Sequence, residues 1–122
     1  MNDMPSVSQK VEIRGRALYA TLAFYADHKP RMLMNLKYPH NKDIQSQLSG
    51  IARLVTRHFK HKVDYKEVAS DLLYVVDDTG GMTTNKDIPS CSSIQDYLGK
   101  WVISTAEQYK ASKKEAKDVE GK

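Results

Sequence analysis

Two runs of alternating apolar residues constrain the fold of this chain more than any other feature. The first run, from 11 to 25, places a series of apolar side chains on one face: Val11, Ile13, Leu18, Ala20, Leu22 and Phe24. The second run does the same with Met32, Met34, Leu36 and Tyr38. Residues two apart in a strand point to the same side, so each run predicts a β-strand with one buried face. A helix is the alternative for residues 17–25, because Leu18, Leu22 and Tyr25 also fit a period of 3.6.

Glycine and turn residues divide these runs into shorter strands. Gly15 interrupts the first run, and we interpret it as a bulge or as a break between two short strands. The sequence Asp27-His28-Lys29-Pro30 has the composition of a turn, so the second run predicts the returning strand of a hairpin. A lone hairpin is marginally stable in water. We therefore expect helices to cover one face, and either residues 11–14 or a second subunit to pair with an edge.

Three helices are predicted after the strands. The first has a clear apolar stripe: Ile44, Leu48, Ile51, Val55 and Phe59. Asn41 or Asp43 can cap its start. The second begins after the N-cap Asp64 and ends at the Asp- and Gly-rich residues 77–81. The third covers about 92–109, with Ser90 or Ser93 as its N-cap.

These elements predict one α+β domain at 11–109, in which an antiparallel, hairpin-based sheet packs against three helices in the order β-β-α-α-α. The 122 residues allow a single core. Residues 1–10 are expected to form a flexible arm and residues 110–122 a flexible charged tail. The sequence has no apolar run of membrane-spanning length and no signal peptide, and its one cysteine cannot form an internal disulfide, so we expect a cytoplasmic protein without membrane contact.

Positive charge is concentrated in one third of the chain. Residues 29–62 contain eight Lys or Arg side chains and one acidic residue, Asp43, whereas residues 63–109 contain three basic and eight acidic side chains. Arg53, Arg57 and Lys60 recur at i, i+4 and i+7 of the first helix and predict a basic stripe. Guanidinium groups bind phosphate in a bidentate manner. The predicted anion site comprises Lys42, Arg53, Arg57, Lys60 and Lys62. The alternative is a solvated helix face.

The order and spacing of these segments resemble the TSCPD domain, which occurs at the C-terminus of cobalamin-dependent ribonucleotide reductases and in small stand-alone proteins. The resemblance rests on residues 18–22 and 30–36 as strands, on 48–55 and 63–73 as helices, and on Ser90-Cys91 followed by Ile94 and Leu98. It implies an accessory or regulatory role in nucleotide metabolism, without reductase activity. Ser92 and Ser93 stand where the family motif has proline and aspartate.

Cys91 is the one candidate for thiol chemistry. It precedes a predicted helix, whose dipole can lower the pKa of a thiol. The alternative is a small side chain that packs beneath the helix. One thiolate is too few for a structural zinc site, and His40, His58 and His61 form no metal motif. We predict no catalytic residue, no metal and no cofactor.

The sequence therefore predicts a non-catalytic binding module for a nucleotide or another phosphate-bearing ligand. One alternative is nucleic-acid binding through the same stripe and the Lys-rich tail. Another is a protein-interaction or inhibitor module in which an exposed hairpin edge pairs with a partner or forms a homodimer.

Overall fold

The computed structural model describes residues 6–24 and 32–120, and these residues form an α+β domain, as predicted. Its strands and helices occur in the order β1 (Ser6–Ile13), β2 (Arg16–Phe24), β3 (Met32–Lys37), α1 (Lys42–Lys60), α2 (Tyr65–Leu72), β4 (Gly81–Met82), β5 (Ser90–Cys91) and α3 (Ile94–Glu120). The first three strands form an antiparallel sheet in the order β1-β2-β3, and β4 and β5 form a separate pair. The helices cover one face of the three-stranded sheet.

A two-residue turn at Arg14 and Gly15 joins β1 to β2. Both residues have positive φ, at 58° and 78°, which is the backbone of a type I′ hairpin turn and explains why glycine stands here. Val11 pairs with Leu18 and Ile13 with Arg16. The interpretation of Gly15 as a break between two strands is therefore confirmed, as is the pairing of residues 11–14 with the sheet edge.

The observed strands differ from the predicted ones in extent. β1 begins at Ser6, so residues 6–10, which were expected in the flexible arm, are paired with β2. The helix alternative for residues 17–25 is wrong over its described part, because Arg16–Phe24 is a strand. The predicted turn at residues 27–30 lies outside the described residues.

The apolar faces predicted from alternation form the core. Nearly complete burial is shared by the sheet residues Val11, Ile13, Leu18, Ala20, Leu22, Met34, Leu36 and Tyr38. They belong to one cluster with the apolar faces of all three helices. On α1 the buried side chains are Leu48, Ala52, Val55 and Phe59. The Asn41 side chain caps this helix by accepting hydrogen bonds from the backbone N–H groups of Asp43 and Ile44.

The predicted end of α2 is wrong. The helix stops at Leu72 rather than near residue 77, because Tyr74 adopts a left-handed φ of 67° and its N–H donates to Asp96 Oδ1 at 2.9 Å instead of continuing the helical ladder. The predicted N-cap Asp64 is confirmed, since its side chain accepts from Lys66 N–H.

The region between α2 and α3 contains structure that the sequence did not predict. Gly81 pairs with Cys91 and Met82 with Ser90. Residues 82–84 also lie along β1, where Arg14 N–H donates to Met82 O at 2.8 Å and Thr84 N–H to Glu12 O at 3.0 Å. α3 then begins with Ser93, whose hydroxyl accepts from Asp96 N–H at 2.9 Å. It continues to Glu120, well beyond the predicted end near Tyr109.

Candidate functional site

Hydrogen bonds from two side chains hold α1 against the outer edge of β3. The Thr56 hydroxyl accepts from Met34 N–H at 3.0 Å. Gln45 accepts from Tyr38 N–H through Oε1 and donates through Nε2 to Leu36 O at 3.0 Å. These are the backbone groups of β3 that face away from β2, so α1 takes the place of a fourth strand. The rotation of α1 about its own axis is fixed by these contacts.

That rotation determines where the basic side chains lie. An α-helix turns about 100° per residue. Viewed along the axis of α1, Thr56 is therefore rotated by about 40° from the buried Ala52, and Arg53 is rotated by about 100° in the same direction. Lys60 and Arg57 follow at about 80° and 140°. The three cations thus lie past the β3 edge, on the side of α1 that borders the outer, helix-free face of the sheet. We call Arg53, Arg57 and Lys60 the basic row.

The three side chains of the basic row are exposed. Among the side chains that the structure describes, no acidic group forms an ion pair with any of them. Arg53 and Arg57 are separated by one helical turn, about 6 Å along the axis. Two guanidinium groups at this spacing can contact one phosphate or two neighbouring ones.

The structure separates one of the other two predicted site residues, Lys42, from this row. Lys42 lies on the same line of α1 but at its first residue, about 16 Å from Arg53 along the axis. Lys62 follows the helix with a left-handed φ of 64° and an exposed side chain. The arrangement therefore brings together Arg53, Arg57 and Lys60 at one end of α1, and Lys42 does not belong to the same compact site.

A second basic group, which the sequence did not reveal, lies on the outer face of the sheet. Lys10 pairs with Tyr19 and Tyr19 pairs with Lys37, so the three side chains form one row across β1, β2 and β3. We call Lys10, Tyr19 and Lys37 the Tyr19 row. The alternation of apolar residues in β2 indicated that Tyr19 points away from the core. It did not indicate that Lys10 and Lys37 are its neighbours, because that depends on the register between the strands.

Cys91 lies inside the domain. It is 8% exposed, and its Sγ contacts Gly81 O at 3.7 Å. Burial raises the pKa of this thiol, and the weaker opposing effect of the Gly81 backbone does not reverse the direction. This is the opposite of the shift expected from a helix dipole, because Cys91 lies in β5 and α3 begins three residues later. The packing interpretation of Cys91 has the support of its burial.

Asp96 is a charged residue at the centre of the α2–α3 region whose role the sequence did not reveal. It is 1% exposed. Its Oδ1 accepts from Tyr74 N–H and its Oδ2 from Ser92 N–H at 3.0 Å, and Lys100 Nζ lies 3.0 Å from Oδ2. Burial alone would raise the pKa of Asp96, but these donors outweigh it and hold the pKa below its usual value. With all its partners in the backbone or in Lys100, this carboxylate stabilises structure.

Two further clefts have less suitable chemistry for an anion. The larger, of about 720 Å³, lies between α3 and residues 73–74 and 87–90, and its charged lining is Asp87, Lys100 and Glu107. A smaller one of about 230 Å³ lies between α1 and α2 and is mainly apolar, with His58 and Asp71 at its wall. No cluster of three or more His, Cys, Asp or Glu side chains able to hold a metal ion occurs among the described residues.

Comparisons with known proteins identify no relative. The chain matches no protein-family model, no curated protein and no solved structure. Within the part of the chain that the structure describes, no helix combines the length and apolar character needed to cross a membrane.

Proposed function

We propose that this protein is a non-catalytic binding module that holds a phosphate-bearing ligand on the basic row of α1. The observation that supports this function is the exposure of Arg53, Arg57 and Lys60 on one side of a helix, where no acidic side chain that the structure describes forms an ion pair with any of them. Helices that use charge only for solubility more often interleave Glu with Lys or Arg at i, i+4 spacing.

The surroundings of the basic row favour binding by fixed cations. The helix that carries the row is attached to β3 through Thr56, which lies between Arg53 and Lys60 along the sequence. The backbone under the row is therefore held in place, and only side-chain freedom is lost when a ligand binds. Charge-assisted hydrogen bonds from guanidinium to phosphate are about twice as strong as neutral ones.

The resemblance to the TSCPD domain suggests which phosphate compound to test first. If the chain shares the role implied by that resemblance, the ligand is a nucleotide and the protein is an accessory or regulatory factor in nucleotide metabolism. The basic row supplies phosphate contacts in that case, while selection of a base or sugar requires other residues.

The test compares two double variants with the wild-type protein. Arg53→Ala/Arg57→Ala removes two cations of the row. Lys66→Ala/Lys86→Ala removes two exposed lysines outside it and serves as a charge-matched control. Nucleoside mono-, di- and triphosphates are titrated by calorimetry at low salt, with circular dichroism to check folding. We expect binding to weaken at least tenfold in the arginine variant and to change little in the control.

Unchanged nucleotide binding by the folded arginine variant would exclude the basic row as the site. Equal weakening in both variants would show that binding follows net charge rather than this arrangement, and would also argue against the proposal.

The open part of the β1 edge supports a second candidate function, the binding of a protein strand. Glu12 N–H donates to the Thr84 hydroxyl, and Glu12 C=O accepts from Thr84 N–H, so the backbone groups of Glu12 point away from β2. Because every second residue of a strand presents its backbone groups to the same side, those of Ser8 and Lys10 also point away from β2. Residues 82–84 do not reach that far. Ser8→Pro removes an outward N–H without breaking the β1–β2 ladder. If this edge pairs with a second copy or a partner, light scattering should show assembly that Ser8→Pro abolishes.

A further inference from the structure

The outer face of the three-stranded sheet is open over its described residues and carries a defined pattern of side chains. Exposed residues on this face come from all three strands: Ser8, Lys10, Glu12, Tyr19, Asn35 and Lys37. The helices pack on the opposite face, where the apolar residues of the same strands are buried. An open antiparallel sheet face is common. Its residue types, however, are specific enough to compare with known classes of ligand.

An aromatic ring lies between two cations at the centre of this face. Tyr19 is 41% exposed and has Lys10 and Lys37 as its direct cross-strand neighbours. The Lys10 ammonium lies 6.0 Å from the centre of the ring. On β2 itself, Tyr19 is flanked by the smaller side chains of Ala17 and Thr21, and the Lys10 ammonium is the group that the structure places over the ring. A planar ligand can therefore stack there while both lysines reach groups beside it.

The next row along the strands supplies hydrogen-bonding groups. Ser8 pairs with Thr21, and Thr21 pairs with Asn35. The Ser8 and Thr21 hydroxyls are 3.1 Å apart, and the Asn35 amide is exposed. Hydroxyl and amide groups can both donate to and accept from the edges of a base.

The charge of this face continues onto α1. On this face Lys10 and Lys37 oppose one acidic residue, Glu12, among the described exposed side chains. Lys37 ends β3, the strand to which α1 is attached. Leu36 and Tyr38 contact Gln45 near the start of α1, whereas Met34 contacts Thr56 near its end, so the Tyr19 row lies toward the first half of α1 and the basic row toward the second. We call the Tyr19 row and the basic row together the cationic surface.

We propose that this surface binds single-stranded nucleic acid, with a base stacked on Tyr19 and the phosphates of the strand following Lys10 and Lys37 toward the basic row. Stacking on an aromatic side chain needs an unpaired base, and a cationic groove beside the ring tracks the backbone. This inference rests on the proposed function, because the basic row provides part of the phosphate contacts. It adds the ligand class and the residue that recognises it.

The chemistry of the face is less suited to a protein partner. Protein interfaces have an apolar core from which charged residues are depleted, with Lys in particular under-represented. Here the large exposed ring of Tyr19 lies between two lysines, and the described side chains of the next row are Ser, Thr and Asn. A polyanion with flat bases matches both features.

The experiment measures binding of a fluorescent 12-nucleotide strand, as DNA and as RNA, by anisotropy at low salt. Tyr19→Thr removes the ring and keeps a residue with high strand preference, whereas Tyr19→Phe keeps the ring. Tyr74→Asn removes a tyrosine that is 80% exposed outside this surface, introduces a residue type that tolerates the left-handed φ of 67°, and serves as the control. We expect at least a tenfold loss of affinity in Tyr19→Thr and little change in the other two, in line with the contribution of base stacking.

A nucleoside triphosphate and a duplex of the same sequence separate this inference from the proposed function. Tyr19→Thr should bind both as the wild type does, while Arg53→Ala/Arg57→Ala should weaken every phosphate ligand. Oligonucleotide affinity unchanged in Tyr19→Thr overturns the stacking site and leaves the proposed function standing. Loss of strand binding in Tyr74→Asn equal to that in Tyr19→Thr also overturns it. If Tyr19→Thr fails to fold, Lys10→Ala/Lys37→Ala is measured instead, and retention of full strand affinity overturns the inference.

Discussion

At the scale of single residues, Asp96 links the end of α2 to the start of α3, two segments whose contact the sequence alone does not predict. Its carboxylate binds the N–H of Tyr74 after α2 and the N–H of Ser92 before α3, while its own N–H is held by Ser93. A buried carboxylate that accepts two backbone hydrogen bonds favours its charged form. Asp96 therefore fixes both the end of α2 and the start of α3.

Replacing Asp96 tests this role. Asp96→Asn leaves one of the two backbone N–H groups facing an amide NH₂ instead of an oxygen, and we expect the free energy of unfolding at pH 7 to fall by about 1–3 kcal/mol. Urea denaturation measures the change. Asp71→Asn, at an exposed position on α2, is the matched control and should be nearly neutral.

The pH dependence of the free energy of unfolding, compared between the wild type and Asp96→Asn, gives an independent check. The pKa of Asp96 is lowered in the folded state. Its contribution to the free energy of unfolding is therefore complete above the unfolded-state pKa of about 3.9, and it is lost as the pH falls through the folded-state pKa. The stability gap between wild type and Asp96→Asn should narrow below about pH 4. A gap that stays constant to pH 2.5 would contradict a charged Asp96.

At the scale of elements, the attachment of α1 to β3 shows how a helix can protect the edge of a sheet. Thr56 and Gln45 supply the oxygen and nitrogen atoms that a fourth strand would have offered to Met34, Leu36 and Tyr38. Three backbone groups along the outer edge of β3 thereby have hydrogen-bond partners: Met34 N–H, Leu36 C=O and Tyr38 N–H. The same contacts set the direction of the basic row.

Thr56 provides a direct test of this attachment. Thr56→Val keeps the shape of the side chain but leaves Met34 N–H without its acceptor, and we expect a loss of about 1–2 kcal/mol of stability. Thr56→Ser keeps the hydroxyl and should lose less. Equal urea midpoints for the valine and serine variants would show that the hydrogen bond from Met34 N–H to the residue 56 hydroxyl makes no net contribution to stability.

Two glycines in different elements should respond in opposite directions to the same substitution. Gly15 has a φ of 78° in the hairpin turn, so Gly15→Ala should destabilise the protein by about 1 kcal/mol. Gly50 lies inside α1, where an added methyl group meets nothing within 4 Å, so Gly50→Ala should stabilise by about 0.5–1 kcal/mol. Thermal unfolding of both variants decides the signs.

The elements that the sequence predicted are those with strong periodicity or cap residues. Alternation located β2 and β3, and Asn41, Asp64 and Ser93 correctly located the starts of three helices. β4 and β5 were missed because strands of two residues have no detectable alternation. The end of α2 was misplaced because it depends on Asp96, which lies 22 residues from Tyr74 in the chain.

At the scale of the whole molecule, the charges are separated in space as well as in sequence. The basic residues of α1 and of the outer sheet face lie on one side, while Asp96 is buried and Asp87 and Glu107 line the cleft beside α3. The basic row could be read from the i, i+4, i+7 spacing alone. The Tyr19 row could not, because no periodicity within β2 reveals which residues of β1 and β3 stand opposite Tyr19.

Salt dependence of strand binding follows from this distribution. For a single strand, the logarithm of the binding constant falls with the logarithm of salt concentration by about 0.7 for each phosphate neutralised. We expect Lys10→Ala/Lys37→Ala, which removes two phosphate contacts, to reduce that slope by about 1.4. Tyr19→Thr should lower the affinity and leave the slope unchanged. A slope change in Tyr19→Thr as large as that in the lysine variant would contradict the division between stacking and phosphate contacts.

The order of translation gives the β1 edge a further consequence. Residues 6–60 contain β1, β2, β3 and α1, and the hydrogen bonds that join these elements to one another need no residue made later. The partners that complete β1 are made much later: Thr84 binds Glu12, and the buried Tyr97 hydroxyl binds Gln9. Until then the edge of β1 is uncovered along its whole length. Nascent chains paused before residue 84 should therefore be the species most inclined to pair with each other or to recruit a chaperone.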